Sequence, residues 1–124
     1  MKHVAKSIRT FIGSKDFDQS RNFYTDLGFT ETVLSNTMSL FRVTDTLAFY
    51  LQHAYVKDWI DNSMIFLEVE DLQYYYDELS QLALDSKYPT TRLSPIVNND
   101  WGSECFLHDP SGVLWHFGKF KEGS

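Results

Sequence analysis

The sequence predicts an α+β fold made from two copies of one β-α-β-β-β unit. Three observations carry this. Arg9-Thr-Phe-Ile-Gly-Ser-Lys-Asp-Phe and Met64-Ile-Phe-Leu-Glu-Val-Glu-Asp-Leu follow the same plan. At a constant offset of 55, Phe11 matches Phe66, Ile12 Leu67, Asp16 Asp71, Phe17 Leu72, Leu27 Leu82 and Phe29 Leu84. In both copies a short apolar run gives way to an acidic residue and then to helical spacing of apolar residues, as a repeated supersecondary unit requires. The modules span about 6–54 and 63–120 of one domain covering residues 1–124.

Each element has a local reason. Residues 8–12 are β-branched and aromatic and stop at Gly13, so they predict the first strand. Asp16 or Asp18 can cap a helix carrying Phe17, Phe23, Tyr24 and Leu27, and Gly28 suits its C-terminal cap. Strands over 29–34, 37–43 and 46–53 complete the first unit, the last two joined by a tight turn at Thr44-Asp45. Residues 55–62 read as a connector ending in the turn-forming pair Asp61-Asn62. The second unit predicts a strand at 64–69, a helix over 71–83 opened by Asp71, and a short strand at 91–94. After a loop through Pro95 to Asp100 come strands 102–108 and 113–119, joined by Asp109-Pro-Ser-Gly, where Pro110 presets φ and Gly112 tolerates positive φ.

Composition narrows the function. Apolar residues at 43% mark a globular chain. A net charge of −6 disfavours nucleic acid, whose phosphates call for Lys and Arg. It suits a neutral or cationic small ligand, or simply keeps the surface soluble. The lone Cys105 has no disulfide partner in its own chain and suggests a reducing cytoplasm. No apolar run is long enough to span a membrane, and the first residues lack a signal-peptide core.

Alternation assigns faces. Ile65, Leu67 and Val69 should pack beneath helices, as should Thr10 and Ile12, Leu47, Phe49 and Leu51, and Val113, Trp115 and Phe117. The opposite set holds Arg9 and Phe11, Ala48, Tyr50 and Gln52, Met64, Phe66 and Glu68, and Leu114, His116 and Gly118. That second set mixes polar and apolar groups, as a ligand cleft does. Arg9 and Glu68 share it and are expected to pair there, orienting a polar substrate or neutralising each other.

Two segments, Asp16-Phe-Asp-Gln-Ser-Arg-Asn-Phe-Tyr-Thr-Asp-Leu-Gly-Phe and Asp109-Pro-Ser-Gly-Val-Leu-Trp-His-Phe, together with the repeat, resemble the vicinal oxygen chelate superfamily. That superfamily includes glyoxalases, extradiol dioxygenases, fosfomycin-resistance enzymes and bleomycin-resistance proteins. The resemblance implies paired modules forming a U-shaped, partly open barrel around a cleft, usually in a homodimer. It also implies a divalent metal bound at positions that correspond here to Arg9, Tyr50, Met64 and His116. Arg does not deprotonate, Met is a soft ligand, and one His does not hold such a metal. The expectation is therefore no metal and no other cofactor.

The segment from Trp101-Gly-Ser-Glu-Cys-Phe to Trp115-His-Phe-Gly is similar to the bleomycin-resistance branch, whose members sequester a large cationic drug without chemistry. By that similarity Trp101 supplies a stacking face and Glu104 or the acidic surface an attraction for cations; the alternative for Trp101 is a plug at the barrel end. The candidate ligand-binding set is Arg9, Phe11, Tyr50, Phe66, Glu68, Trp101 and His116, with no catalytic residue assigned. Two other classes stand beside this binder: a lyase or isomerase using His116 or Glu68 as general base, and a scaffold without ligand. Cys105, with apolar neighbours in mid-strand, reads as core, and the Tyr74-Tyr75-Tyr76 run reads as packing or a dimer contact.

Overall fold

The computed structural model describes residues 1–122. The first module contains β1 (Phe11–Gly13), α1 (Phe17–Asp26), β2 (Thr30–Ser35), β3 (Met38–Arg42) and β4 (Ala48–Gln52). A connecting helix α2 (Lys57–Asp61) leads to the second, which contains β5 (Met64–Glu68), α3 (Leu72–Gln81), α4 (Leu84–Lys87), β6 (Val97–Asn98), β7 (Gly102–His108) and β8 (Leu114–Phe120). Each module forms a four-stranded mixed sheet, ordered β1-β4-β3-β2 and β5-β8-β7-β6, and neither sheet closes on itself. In both, the first strand runs parallel to the last and the others run antiparallel.

The repeat holds at atomic detail. Asp16 accepts the Gln19 backbone N–H and Asp71, 55 residues on, accepts that of Tyr74, so matched residues cap matched helices. Leu27 and Leu82 end those helices. The next residue is left-handed in both copies: Gly28 at φ 93° and Ala83 at φ 49°. Glycine takes that conformation freely, whereas alanine is strained in it.

Several expectations need correction. Thr10 precedes β1 and is exposed. Leu47 lies in the hairpin turn, where its carbonyl accepts from Val43 and Thr44, and its side chain is half exposed. The connector is not irregular throughout, because buried Ile60 anchors one helical turn against Gly13 and Gly112. The strand placed at 91–94 reduces to one bridge from Leu93 to Leu107. The outer strand is Val97–Asn98 instead, because α4 takes up the chain that would have reached the sheet edge earlier. The ridge Phe49, Leu51, Trp115 and Phe117 is buried as alternation requires.

The helices and the inner faces of both sheets enclose one core. Tyr24 of α1 lies against Phe29, Phe41, Phe49 and Trp115 at ring-centroid distances from 5.0 to 6.1 Å. Its hydroxyl donates to Asp109 Oδ2 (2.6 Å) and accepts from Trp115 Nε1 (3.0 Å). Asp109 Oδ1 also accepts the backbone N–H groups of Ser111, Gly112 and Val113, each at 2.9 Å. Burial pushes the Asp109 carboxyl upward and these donors pull against it; burial and the adjacent carboxylate hold the Tyr24 phenol well above its ordinary value. The motif residues Tyr24, Asp109 and Trp115 thus form one buried chain that joins the modules. A second tie, Tyr88 to Asp26 at 2.7 Å, lies nearer the surface.

Candidate functional site

Two clusters stand on the sheet faces that point away from the helices. On the first sheet Phe11 pairs with Tyr50 in the β1–β4 ladder. Their rings stack with centroids 4.7 Å apart and planes 21° from parallel. Arg9 Nη1 donates to the Tyr50 hydroxyl at 3.1 Å, and its guanidinium lies 5.7 Å from the ring centroid, within cation–π range. Arg9 Nε is buried without an acceptor. By ladder register Leu40 and Arg42 share this face, which carries no carboxylate. Leu40 is buried yet stands outside the main core cluster.

On the second sheet Phe66 pairs with His116 in the β5–β8 ladder, the same step that joins Phe11 to Tyr50. Tyr50 and His116 are therefore equivalent positions by hydrogen-bond register, independently of the sequence offset. A Cβ on Gly118 would lie 2.4 Å from the Phe66 ring, so only glycine lets that ring settle across β8. Trp101 meets Phe66 edge-on at 5.9 Å, and Phe120 closes the triangle at 5.3 and 5.7 Å. His116 Nδ1 is 2.9 Å from Glu104 Oε1, and Glu104 Oε2 accepts from Asn99 Nδ2 at 2.9 Å. Phe106 stands edge-on to the imidazole at 4.9 Å. Because a carboxylate only accepts, Nδ1 is the donor of this pair.

The structure brings Arg9, Phe11 and Tyr50 together, and separately Phe66, Trp101 and His116. No hydrogen bond, ion pair or ring contact among the described residues joins the two groups. The expected Arg9–Glu68 pair does not form: the two residues sit on different sheets, and Arg9 is taken by Tyr50. Glu68 instead projects, exposed, at the end of β5. Sequence reasoning missed the Glu104–His116 pair, although the signal was present. Regular β7 and β8 joined by the Asp109 turn place Glu104 one ladder step diagonal from His116 on the same face. Cys105 is fully buried, and burial, with Glu104 adding to it, pushes its thiol to about 11. His53 stacks on Phe17 and takes no part in either cluster. Among the described residues no three His, Cys, Asp or Glu side chains converge.

Solved structures share this architecture. The chain aligns with a bleomycin-binding protein from Streptomyces verticillus, complexed with copper(II)-bleomycin, at a TM-score of 0.79 and 18% identity over 98% of this chain and 99% of that one. The transposon Tn5 bleomycin resistance determinant gives 0.78 and 21% identity, covering 94% and 99%. A glyoxalase/bleomycin resistance protein from Catenulispora acidiphila gives 0.74 and 17% identity, covering 94% and 100%. The chain has the vicinal oxygen chelate fold. No family model matches the chain, and no curated protein matches it significantly in sequence.

The two clusters lie one on each module's sheet, at matching steps of the two parallel ladders. Small-molecule binding is a use that this fold supports. No helix among the described residues is long and apolar enough to cross a membrane.

Proposed function

We propose that the protein binds a small aromatic or cationic organic molecule in a cleft completed by a second copy of itself. Arg9, Phe11 and Tyr50 of one chain would face Phe66, Glu68, Trp101 and His116 of the other. The observation that carries this reading is that each cluster sets a partly exposed aromatic ring on the outer face of its sheet, and no hydrogen bond, ion pair or ring contact among the described residues joins one cluster to the other. Phe11 is 56% exposed and Phe66 43%, and each stands beside further rings, a grouping that suits a ligand surface. The faces are also complementary, Arg9 and Arg42 against Glu68 and Glu104, as paired surfaces are. An aromatic triangle beside a carboxylate offers stacking and cation–π contact. Solved neighbours of the same fold hold bleomycin. The buried, unpaired thiol of Cys105 fits a reducing cytoplasm.

One observation favours a second reading. Glu104 orients His116 as a carboxylate orients a general base, so proton transfer by His116 is the alternative activity. Thermal-shift and calorimetric titration with bleomycin-type glycopeptides and small aromatic cations tests the first reading, since a native-state ligand raises the midpoint. A shift in wild type that vanishes in Trp101→Ala supports binding at this face. Glyoxalase-type turnover lost in His116→Ala would favour the enzyme. Metal analysis is expected to find no stoichiometric Zn, Ni, Mn or Fe.

A further inference from the structure

The chain holds 17 acidic residues against 11 basic ones, yet the outer face of the first sheet carries arginine and no carboxylate. Across the four strands its middle row reads Phe11, Tyr50, Leu40 and Thr32. Two residues before Phe11 and Tyr50, on the same face, stand Arg9 and Ala48, and Arg42 pairs with Ala48 from the other side. The parallel ladder reaches that far, since the Tyr50 N–H donates to the Thr10 carbonyl at 3.0 Å. One methyl side chain is thus flanked by two arginines on strands roughly 4.8 Å to either side.

Neither arginine is neutralised. Arg9 uses only Nη1, on the Tyr50 hydroxyl, and its buried Nε has no acceptor among the described residues. Arg42 reaches only the Asp45 carbonyl, at 3.5 Å. Neither makes an ion pair with a described residue. Arg21 of the same module is treated differently, held by Glu31 at 2.6 Å and Asp18 at 3.0 Å. A covered N–H without an acceptor costs free energy, and the free edge of a guanidinium matches the two oxygens of a carboxylate. The contact with Tyr50 fixes Arg9 beside the exposed Phe11 ring, so a stacking surface and an anion donor stand side by side.

We propose that this face binds an aromatic carboxylate, with its ring against the Phe11–Tyr50 stack and its carboxylate over Ala48 between Arg9 and Arg42. The net charge of −6 repels anions from the chain as a whole, so the preference is made locally by these two side chains. The small residue at 48 leaves the room that a longer side chain would fill. The proposal rests on the small-molecule reading of the preceding subsection and narrows it: at this face the ligand is aromatic and anionic.

Calorimetric titration of the full chain with 2-naphthoate and with its neutral amide, 2-naphthamide, tests it. The carboxylate should bind at least tenfold more tightly than the amide, and that ratio should fall toward one in Arg9→Gln and in Arg42→Gln. Arg9→Lys keeps the charge without the fork and should retain only part of the ratio. Phe11→Ala should weaken both probes alike and leave the ratio in place. Equal affinity for the two probes, or a ratio unchanged in both Gln variants, overturns the proposal. A chain that binds 2-naphthylmethylammonium but not 2-naphthoate overturns it and leaves the small-molecule reading standing. A chain that binds neither of these, nor a bleomycin-type glycopeptide, overturns both. Matching circular dichroism and melting of each variant separates lost binding from lost folding.

Discussion

On the first sheet Phe11 and Tyr50 stack under an arginine, whereas at the matching register on the second sheet Phe66 and His116 sit beside a carboxylate and a tryptophan. The backbones are equivalent: both pairs occupy the same step of a parallel ladder. What diverged is the chemistry of the outer faces, one basic and one acidic, while the inner faces stayed apolar and merged into one core. Duplication preserved what packing demands and released what it does not. The outcome is two half-sites of opposite character.

The sharpest way to break the comparison is to cut the joint that holds the halves together. Asp109→Ala takes the side-chain acceptor from the Ser111 and Val113 N–H groups and the Tyr24 hydroxyl, while Gly112 keeps the Asp109 main-chain carbonyl; a buried stranded donor costs roughly 1–3 kcal/mol. Allowing for relaxation, a loss of about 3–5 kcal/mol in urea unfolding is expected. Asp26→Ala, at the more exposed tie to Tyr88, should cost only about 1 kcal/mol.

The faces themselves come next. Phe66→Ala and Phe11→Ala each remove an exposed stacking ring. Either should weaken whatever ligand the titrations identify by roughly tenfold or more, a share of about 1.4 kcal/mol, with little change in melting temperature. A loss confined to Phe66→Ala would place the ligand on the second sheet alone.

The helix ends sharpen the comparison further. Ala83→Gly should stabilise the chain by about 1 kcal/mol by relieving the left-handed alanine, and Gly28→Ala should destabilise it by a similar amount. Equal effects of one sign would contradict the equivalence of the two positions.

The smallest expected effect is acid sensitivity of the first module. Burial raises the Glu31 carboxyl, but hydrogen bonds from Arg21 and Ser39 outweigh it and the net direction is down. A depressed carboxyl contributes stability above the unfolded value near ~4.3, and that contribution is lost as pH falls through the lower folded value. Hydrogen exchange between pH 6 and 3 should show β2 and α1 loosening below about pH 4, and Arg21→Ala should abolish the difference between modules. Given partial exposure, the effect is about 1 kcal/mol or less.

Much of this fold was legible because the repeat constrained it twice. Asp71 announced one helix start and the choice of Asp16 or Asp18 the other, and alternation in β5 and β8 put Ile65, Leu67, Trp115 and Phe117 on the core side. The second module's outer strand was not legible, because α4 and the loop around Pro95 take the chain to the edge by a route with no counterpart in the first copy. For the candidate site, the residues were legible and their grouping was not. Parity says which side a side chain takes, but not whether Arg9 and Glu68 meet, since that depends on how two sheets are placed. Glu104 escaped for a related reason: its partner is a diagonal neighbour across a hairpin, visible only once register is fixed.

The central claim, that the half-sites of two chains face each other, is tested most directly by cross-linking. Cys105 is buried and its thiol is pushed to about 11, so introduced cysteines alone should react. A Phe11→Cys chain mixed with a Phe66→Cys chain and treated with a short thiol cross-linker should give a covalent dimer containing one chain of each. The double variant should likewise link between chains. A double variant bridged only within its own chain, or a mixture that stays uncoupled, would contradict it.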